Sequence, residues 1–184
     1  MKHTFVQSMF LLATLLCCSV SFQAQDQAAT HHSSSSPSHG GGPLGLGIVL
    51  GEPTGLSAKY WLTSKHSLDF GLGYSFNSFI FVYADYLFHF PGAFGASSQF
   101  VAQLNPYIGI GGIFMGSTAS SGTRGRYFTS DGSSAGVGMR LPLGIEWTPG
   151  EPPLGIFIEL VPGLGIIPST FGFVEGGIGV RYYF

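Results

Sequence analysis

Gly176-Gly177-Ile178-Gly179-Val180-Arg181-Tyr182-Tyr183-Phe184 closes the chain, and the two parities of this stretch decide the fold. Phe184, Tyr182, Val180, Ile178, Gly176 and, one step further back, Val174 form one face, apolar or small throughout. Tyr183, Arg181, Gly179, Gly177 and Glu175 form the other. Side chains of an extended strand alternate between two faces, so this run reads as a strand between two different surroundings. The uniform face is the apolar one, and the mixed face carries charge and glycine.

The same sorting works upstream. Gly, Pro, Ser and Asn punctuation divides residues 44–184 into eight expected strands, at 44–51, 54–62, 67–76, 79–90, 104–115, 136–147, 154–166 and 172–184. Leu68, Phe70, Leu72 and Tyr74 oppose Ser67, Asp69, Gly71 and Gly73. Val137, Met139, Leu141, Leu143, Ile145 and Trp147 oppose Gly138, Arg140, Pro142, Gly144 and Glu146. Every charge inside an expected strand falls on a mixed face: Lys59, Asp69, Asp85, Arg140, Glu146, Glu159, Glu175 and Arg181. A soluble sheet turns its apolar face to a core and its polar face to water. Large side chains on a uniform apolar face, with charges confined to the glycine-rich one, fit an outer-membrane barrel with lipid outside and a polar lumen. Closure is needed because no sheet edge can stay unpaired in hydrocarbon. The expected fold class is therefore all-β, an eight-stranded antiparallel up-and-down transmembrane β-barrel.

Aromatic placement gives an independent test. With both termini taken as periplasmic, the outward residues at that end are Tyr60, Phe88, Phe90, Trp147, Tyr182 and Phe184. All are aromatic, as an interfacial girdle requires. Tyr74 and Phe114 then serve the opposite interface.

Composition agrees. Charged residues are 9% of the chain, where a soluble domain carries about 25%. The formal net charge of −2 offers no basic field to nucleic acid. Past the N-terminal segment no run of about 18 apolar residues occurs, so no helical membrane span is expected.

The N-terminus has a positive start, Met1-Lys2-His3, and an apolar run from Met9 to Val20, too short to span a bilayer. Residues 1–24 are expected to be a signal peptide cleaved after Ala24. The alternative is lipidation at Cys17 or Cys18, although Leu16 before Cys17 and Cys17 before Cys18 are poor small-residue neighbours. Ordinary cleavage removes both cysteines and leaves no thiol chemistry. Residues 25–43 form a low-complexity, polar leader. Its His31, His32 and His39 come without the cysteines or carboxylates that would fix a metal geometry, so it reads as a solvated linker.

Cleavable leader, eight amphipathic strands and a terminal aromatic together resemble the small OmpA/OmpX-type outer-membrane β-barrels, over residues 44–184. The stretches "GEPTGLSAKYWL", "PYIGIGG" and "GGIGVRYYF" also look like a poorly characterised bacterial family of such barrels. The resemblance implies an outer-membrane location and contact with outer-membrane lipids. It also implies recognition of the last strand, ending at Phe184, by the barrel-assembly machinery. It speaks for fold and place more than for activity. One departure is the length of the 91–103 connection, expected on the periplasmic side, where turns are short. A further hairpin there would make ten strands.

Candidate chemistry centres on the lumen. An eight-stranded barrel is nearly filled by its own side chains, and buried charges must pair. Arg140 and Arg181 are expected to meet Glu146, Glu159 or Glu175, and Lys59 to face Asp69 or Asp85. The result is an ionic plug; the sharper alternative is a narrow gated ion path or small-solute site. His66-Ser67 falls in an expected turn, and His89 lies near the end of the fourth strand. Neither brings a third catalytic partner, so no enzyme is expected. Gly-rich 108–112 lacks the Lys-Ser/Thr of a phosphate loop, and no cofactor is expected. In the long loop 116–135, Arg124, Arg126, Tyr127 and Phe128 read as a solvated loop or as contacts to a host, surface or neighbouring protein. The expected role is structural or interactive at the cell surface. The alternatives are a small porin-like channel and a soluble, lipocalin-like ligand binder, which would need the apolar face turned inward.

Overall fold

A computed structural model describes residues 41–75, 79–117 and 135–184. The expected signal segment 1–24, most of the leader 25–43, and Arg124, Arg126, Tyr127 and Phe128 lie outside the described residues.

The strands are β1 Leu44–Glu52, β2 Thr54–Trp61, β3 His66–Ser75, β4 Phe79–His89, β5 Leu104–Ser117, β6 Ala135–Arg140, β7 Leu143–Trp147, β8 Leu154–Ile167 and β9 Phe171–Tyr183. Sequential neighbours pair antiparallel, β4 pairs with β5, and β9 returns to β1 with Gly45 opposite Tyr183 and Glu52 opposite Gly176. The sheet therefore closes on itself. β6 and β7 are two halves of one barrel strand, both lying between β5 and β8. The ring has eight strands, an up-and-down barrel.

The expected strand 136–147 is thus interrupted. Pro142 has no N–H to donate and cannot continue a ladder on both sides. The neighbours still close around the gap: Leu141 N donates to Pro162 O at 2.9 Å, and Gly109 N to Pro142 O at 2.7 Å. Register survives the break, with Arg140 opposite Gly163 and Leu143 opposite Leu160.

The 91–103 connection contains no extra hairpin. It turns at 91–94 and ends in a one-turn helix, α1 Gln99–Ala102, before entering β5. Gly92 and Gly95, both at φ +76°, let the chain double back in a left-handed conformation that other residues rarely adopt. The Ser98 hydroxyl caps α1 by accepting from Val101 N at 3.2 Å.

The two faces of each strand meet opposite environments. Leu56 is 61% exposed and Leu160 54%, whereas Lys59 and Glu146 are 0% exposed. Phe81, Tyr83, Ile113, Met115 and Phe173 form an apolar cluster inside, at the end of the barrel away from the chain termini. Tyr60, Phe88, Phe90, Tyr182 and Phe184 are exposed at the terminal end, and Tyr74 and Phe114 toward the other. Trp147 is half-buried, because Phe100 of α1 packs 5.7 Å from its ring and its Nε1 donates to Gln103 Oε1 at 3.0 Å. Among the described residues no helix is long and apolar enough to cross a membrane. A strand barrel needs none.

Candidate functional site

The lumen is built by alternation. Inward positions hold large side chains and, beside several of them, glycines that make room. Gly109 lies against Leu87, Gly144 against Tyr107, Gly179 against Phe157, and Gly155 against Glu146 and Tyr183. A Cβ at Gly155 would sit 2.6 Å from Glu146 Oε1 and 2.9 Å from the Tyr183 ring.

The eight charged residues expected inside are all buried within the ring, with a ninth strand charge, Glu52, half-buried at the end of β1, and the eight form two linked clusters. The lower one, nearer the termini, holds Lys59, Arg181, Asp69 and Glu146. Lys59 pairs with Glu146. Tyr183 OH donates to Glu146 Oε1 at 2.6 Å, and Arg181 Nη1 approaches the same oxygen at 3.7 Å. Arg181 Nη2 donates to both Asp69 oxygens, at 2.8 and 2.9 Å, and its Nε donates to Ser57 Oγ at 2.9 Å. The guanidinium also lies 3.8 Å over the Phe157 ring, and Lys59 Nζ 4.6 Å over Trp61. Two cations meet two carboxylates, and each charged group has several partners.

The upper cluster is unbalanced. Arg140 is its one cation. Its Nε lies 3.2 Å from Asp85 Oδ2, its Nη1 3.3 Å from Glu175 Oε2, and its Nη2 3.7 Å from Glu159 Oε1. Tyr107 OH donates to Glu159 Oε2 at 3.1 Å, and the guanidinium stacks 3.8 Å over Tyr83. Three carboxylates thus share one guanidinium, leaving two formal negative charges in excess. The contacts to Asp85 and Glu175 lack hydrogen-bond alignment, so charge attraction alone holds them. A cavity of ≈ 10 Å³ lies above, lined by Glu52, Pro53, Arg140, Glu159 and Glu175. That is space for about one water molecule.

Arg140 lies against Glu175 and Glu159 and Arg181 against Glu146, within the expected sets, whereas the partner of Lys59 differs. Lys59 faces Asp69 in the β2–β3 register, yet its ion pair is with Glu146 across the lumen. Asp69 and Asp85, expected opposite Lys59, add to the arginines instead: Asp69 takes Arg181, and Asp85 takes Arg140. Long side chains in a narrow barrel reach past the adjacent strand, so ladder neighbours need not be ionic partners.

His66 and Ser67 both lie in β3 rather than in a turn. They point to opposite faces: the His66 ring packs against Tyr86 and Phe88 outside, and Ser67 is buried inside. The partner of Ser67 is His89, whose Nε2 lies 3.0 Å from Ser67 Oγ. Both hydrophilic groups are sealed in the lumen, and the His89 ring packs 4.3 Å from Trp61 and 5.2 Å from Tyr107. The sequence did contain the signal. Both residues are inward at the terminal ends of antiparallel neighbours, β3 and β4. The hydroxyls of Ser57, Tyr107 and Tyr183, which complete the networks, belong to the inward parity in the same way.

Residues 38–180 match the model of a family described as a protein of unknown function (DUF3996). Among solved structures, the N-terminal β-barrel domain of Pseudomonas aeruginosa OprF superposes with a TM-score of 0.52 at 19% identity, covering 76% of this chain and 93% of that one. The outer membrane enzyme PagL superposes with a TM-score of 0.45 at 12% identity, covering 76% of this chain and 99% of its own. No curated protein sequence matches the chain. The OprF likeness is one of fold: an antiparallel barrel of the outer-membrane kind.

Proposed function

We propose, from the premise that the chain belongs to the DUF3996 family of proteins of unknown function, that it is an integral outer-membrane protein. Its role is structural or interactive at the cell surface, and its lumen is plugged by its own charged side chains. The observation that carries this reading is the inverted burial. The outward face is a continuous apolar band flanked by aromatics, and the eight charges from Lys59 to Arg181 in the strands are buried inside. In water such a band would expose far more contiguous apolar surface than a soluble monomer tolerates; in a bilayer it matches the hydrocarbon core. The same observation removes the lipocalin-like alternative, which needed the apolar face inside.

The partners on this reading are outer-membrane lipids, the barrel-assembly machinery acting on the β9 strand, and a surface partner of unknown identity. The role is non-catalytic. What supports this is the burial of Ser67 and His89, whose ring lies 4.3 Å from Trp61 and 5.2 Å from Tyr107. The test is electrophoresis of protein from isolated outer membranes, with and without boiling, followed by planar-bilayer recording. The expected result is a heat-dependent mobility shift and no conductance above the empty bilayer. Release into the soluble periplasmic fraction without a shift would refute the membrane reading.

A porin-like path is the second reading. It is favoured by the two excess negative charges around Arg140 and by the cavity beside Glu52. Cation-selective steps in the same recording, altered by Glu159→Gln, would replace the plug with this path.

A further inference from the structure

The connection between β4 and β5 is unlike the other two at the terminal end of the barrel. Residues 62–65 include Lys65, and residues 148–153 include Glu151. From Phe90 to Gln103 there is no charged residue at all, and Phe90, Phe94 and Phe100 are 51%, 49% and 56% exposed. A connection of this length in water is normally polar and charged. Its helix α1 buries none of its residues, so the segment does not fold under the barrel to stopper the lumen.

Hydrogen bonds instead tie it to the rim at the aromatic girdle. Thr148 N donates to Gln103 O at 3.2 Å, Gln103 Nε2 to Pro149 O at 3.1 Å, and Trp147 Nε1 to Gln103 Oε1 at 3.0 Å. At its start, Phe90 N donates to Pro106 O at 2.9 Å. Phe100 stands 5.7 Å from the Trp147 ring, so the exposed aromatics of the connection continue the girdle outward.

We propose that the 91–103 connection is a lipid-seated foot, with Phe94 and Phe100 inserted at the headgroup–acyl boundary of the phospholipid leaflet at the periplasmic end. This rests on the membrane-barrel reading and adds the partner of a surface that reading leaves bare. Aromatic side chains favour this boundary, and the absence of charge removes the cost of lowering the segment into it. The chemistry recognised is the phospholipid glycerol and upper acyl region, without a requirement for an anionic headgroup.

The full mature chain reconstituted in phosphatidylcholine vesicles tests this. The protein has two tryptophans, so Trp61→Phe with Trp147→Phe gives a silent background for single reporters. Phe94→Trp and Phe100→Trp report on the foot. Leu160→Trp reports on the apolar band, and Glu151→Trp on a turn at the same end. A heat-dependent gel shift checks that each variant is folded. The expected result is blue-shifted emission from the foot reporters, loss of quenching by aqueous iodide, and strong quenching by lipids brominated high on the acyl chain. Leu160→Trp is to be quenched by deep bromines and Glu151→Trp by iodide. Foot reporters that follow Glu151→Trp, with Leu160→Trp still lipid-quenched, would overturn the foot and leave the barrel standing. Iodide access at Leu160→Trp as well would overturn both. Iodide protection appearing only at high protein-to-lipid ratio would assign the surface to a second copy and overturn the lipid assignment.

Discussion

Replacing Arg140 by methionine removes the one cation of the upper cluster while keeping most of its volume. The guanidinium is 1% exposed and lies 3.2, 3.3 and 3.7 Å from three carboxylates. Removing one member of a buried ion pair costs about 3–5 kcal/mol, because the partner is left uncompensated. Here three partners are left, and the stacking on Tyr83 at 3.8 Å is lost too, which adds about 0.5–2 kcal/mol. A loss of at least about 3.5 kcal/mol follows, several hundredfold in the folding equilibrium. Glu175→Gln acts on the same cluster with the opposite charge logic. It removes one of the two excess negative charges and leaves Arg140 facing Asp85 and Glu159. The cost should stay within about 1 kcal/mol, and the same change in the Arg140→Met background should recover part of that loss. Urea unfolding in lipid vesicles, followed by Trp61 and Trp147 emission, measures all four corners of this cycle. A loss below about 1 kcal/mol for Arg140→Met, or a larger loss for Glu175→Gln than for Arg140→Met, would refute the charge count.

Three further outcomes are expected. Gly155→Ala brings a Cβ to 2.6 Å from Glu146 Oε1, whereas Gly172→Ala meets nothing within 4 Å. The first should cost about 1–3 kcal/mol in urea unfolding through overpacking, and the second should be near neutral. Leu160→Arg places a charge on the outward face well above the terminal girdle, and should cost about 2–4 kcal/mol in vesicles. The same change at Tyr182, within the girdle, should cost no more than about 1 kcal/mol. Phe184→Ser removes an aromatic that is 62% exposed beside Tyr182, 5.0 Å between ring centroids. The heat-shifted form in isolated outer membranes should fall, while refolding of the purified chain in detergent is largely retained.

The inside-out parity was legible in residues 44–184 because alternation is a local property of the extended backbone. Once a segment is a strand, the faces of Lys59 and Leu56 follow from their numbers alone. The eight-fold count and the aromatic girdle are legible for the same reason, since turn residues and terminal aromatics are local marks. The interruption at Pro142 was visible as a residue without an N–H, but whether the neighbours would bridge it depends on Pro162 and Gly109 in other strands. The one-turn helix after Ser98 was hidden because so short an element has no periodicity to read.

The ionic partners belong to the tertiary structure. Lys59 and Glu146 are separated by 87 positions, and Arg181 and Asp69 by 112. Barrel closure, strand stagger and the reach of long side chains across a narrow lumen bring them together, and no local pattern encodes those three quantities. Alternation along the chain sets which residues face inward and that their charges must be neutralised there. Only the closed barrel decided which carboxylate each cation meets, because partner choice is set by distances across the ring and not by distance along the chain.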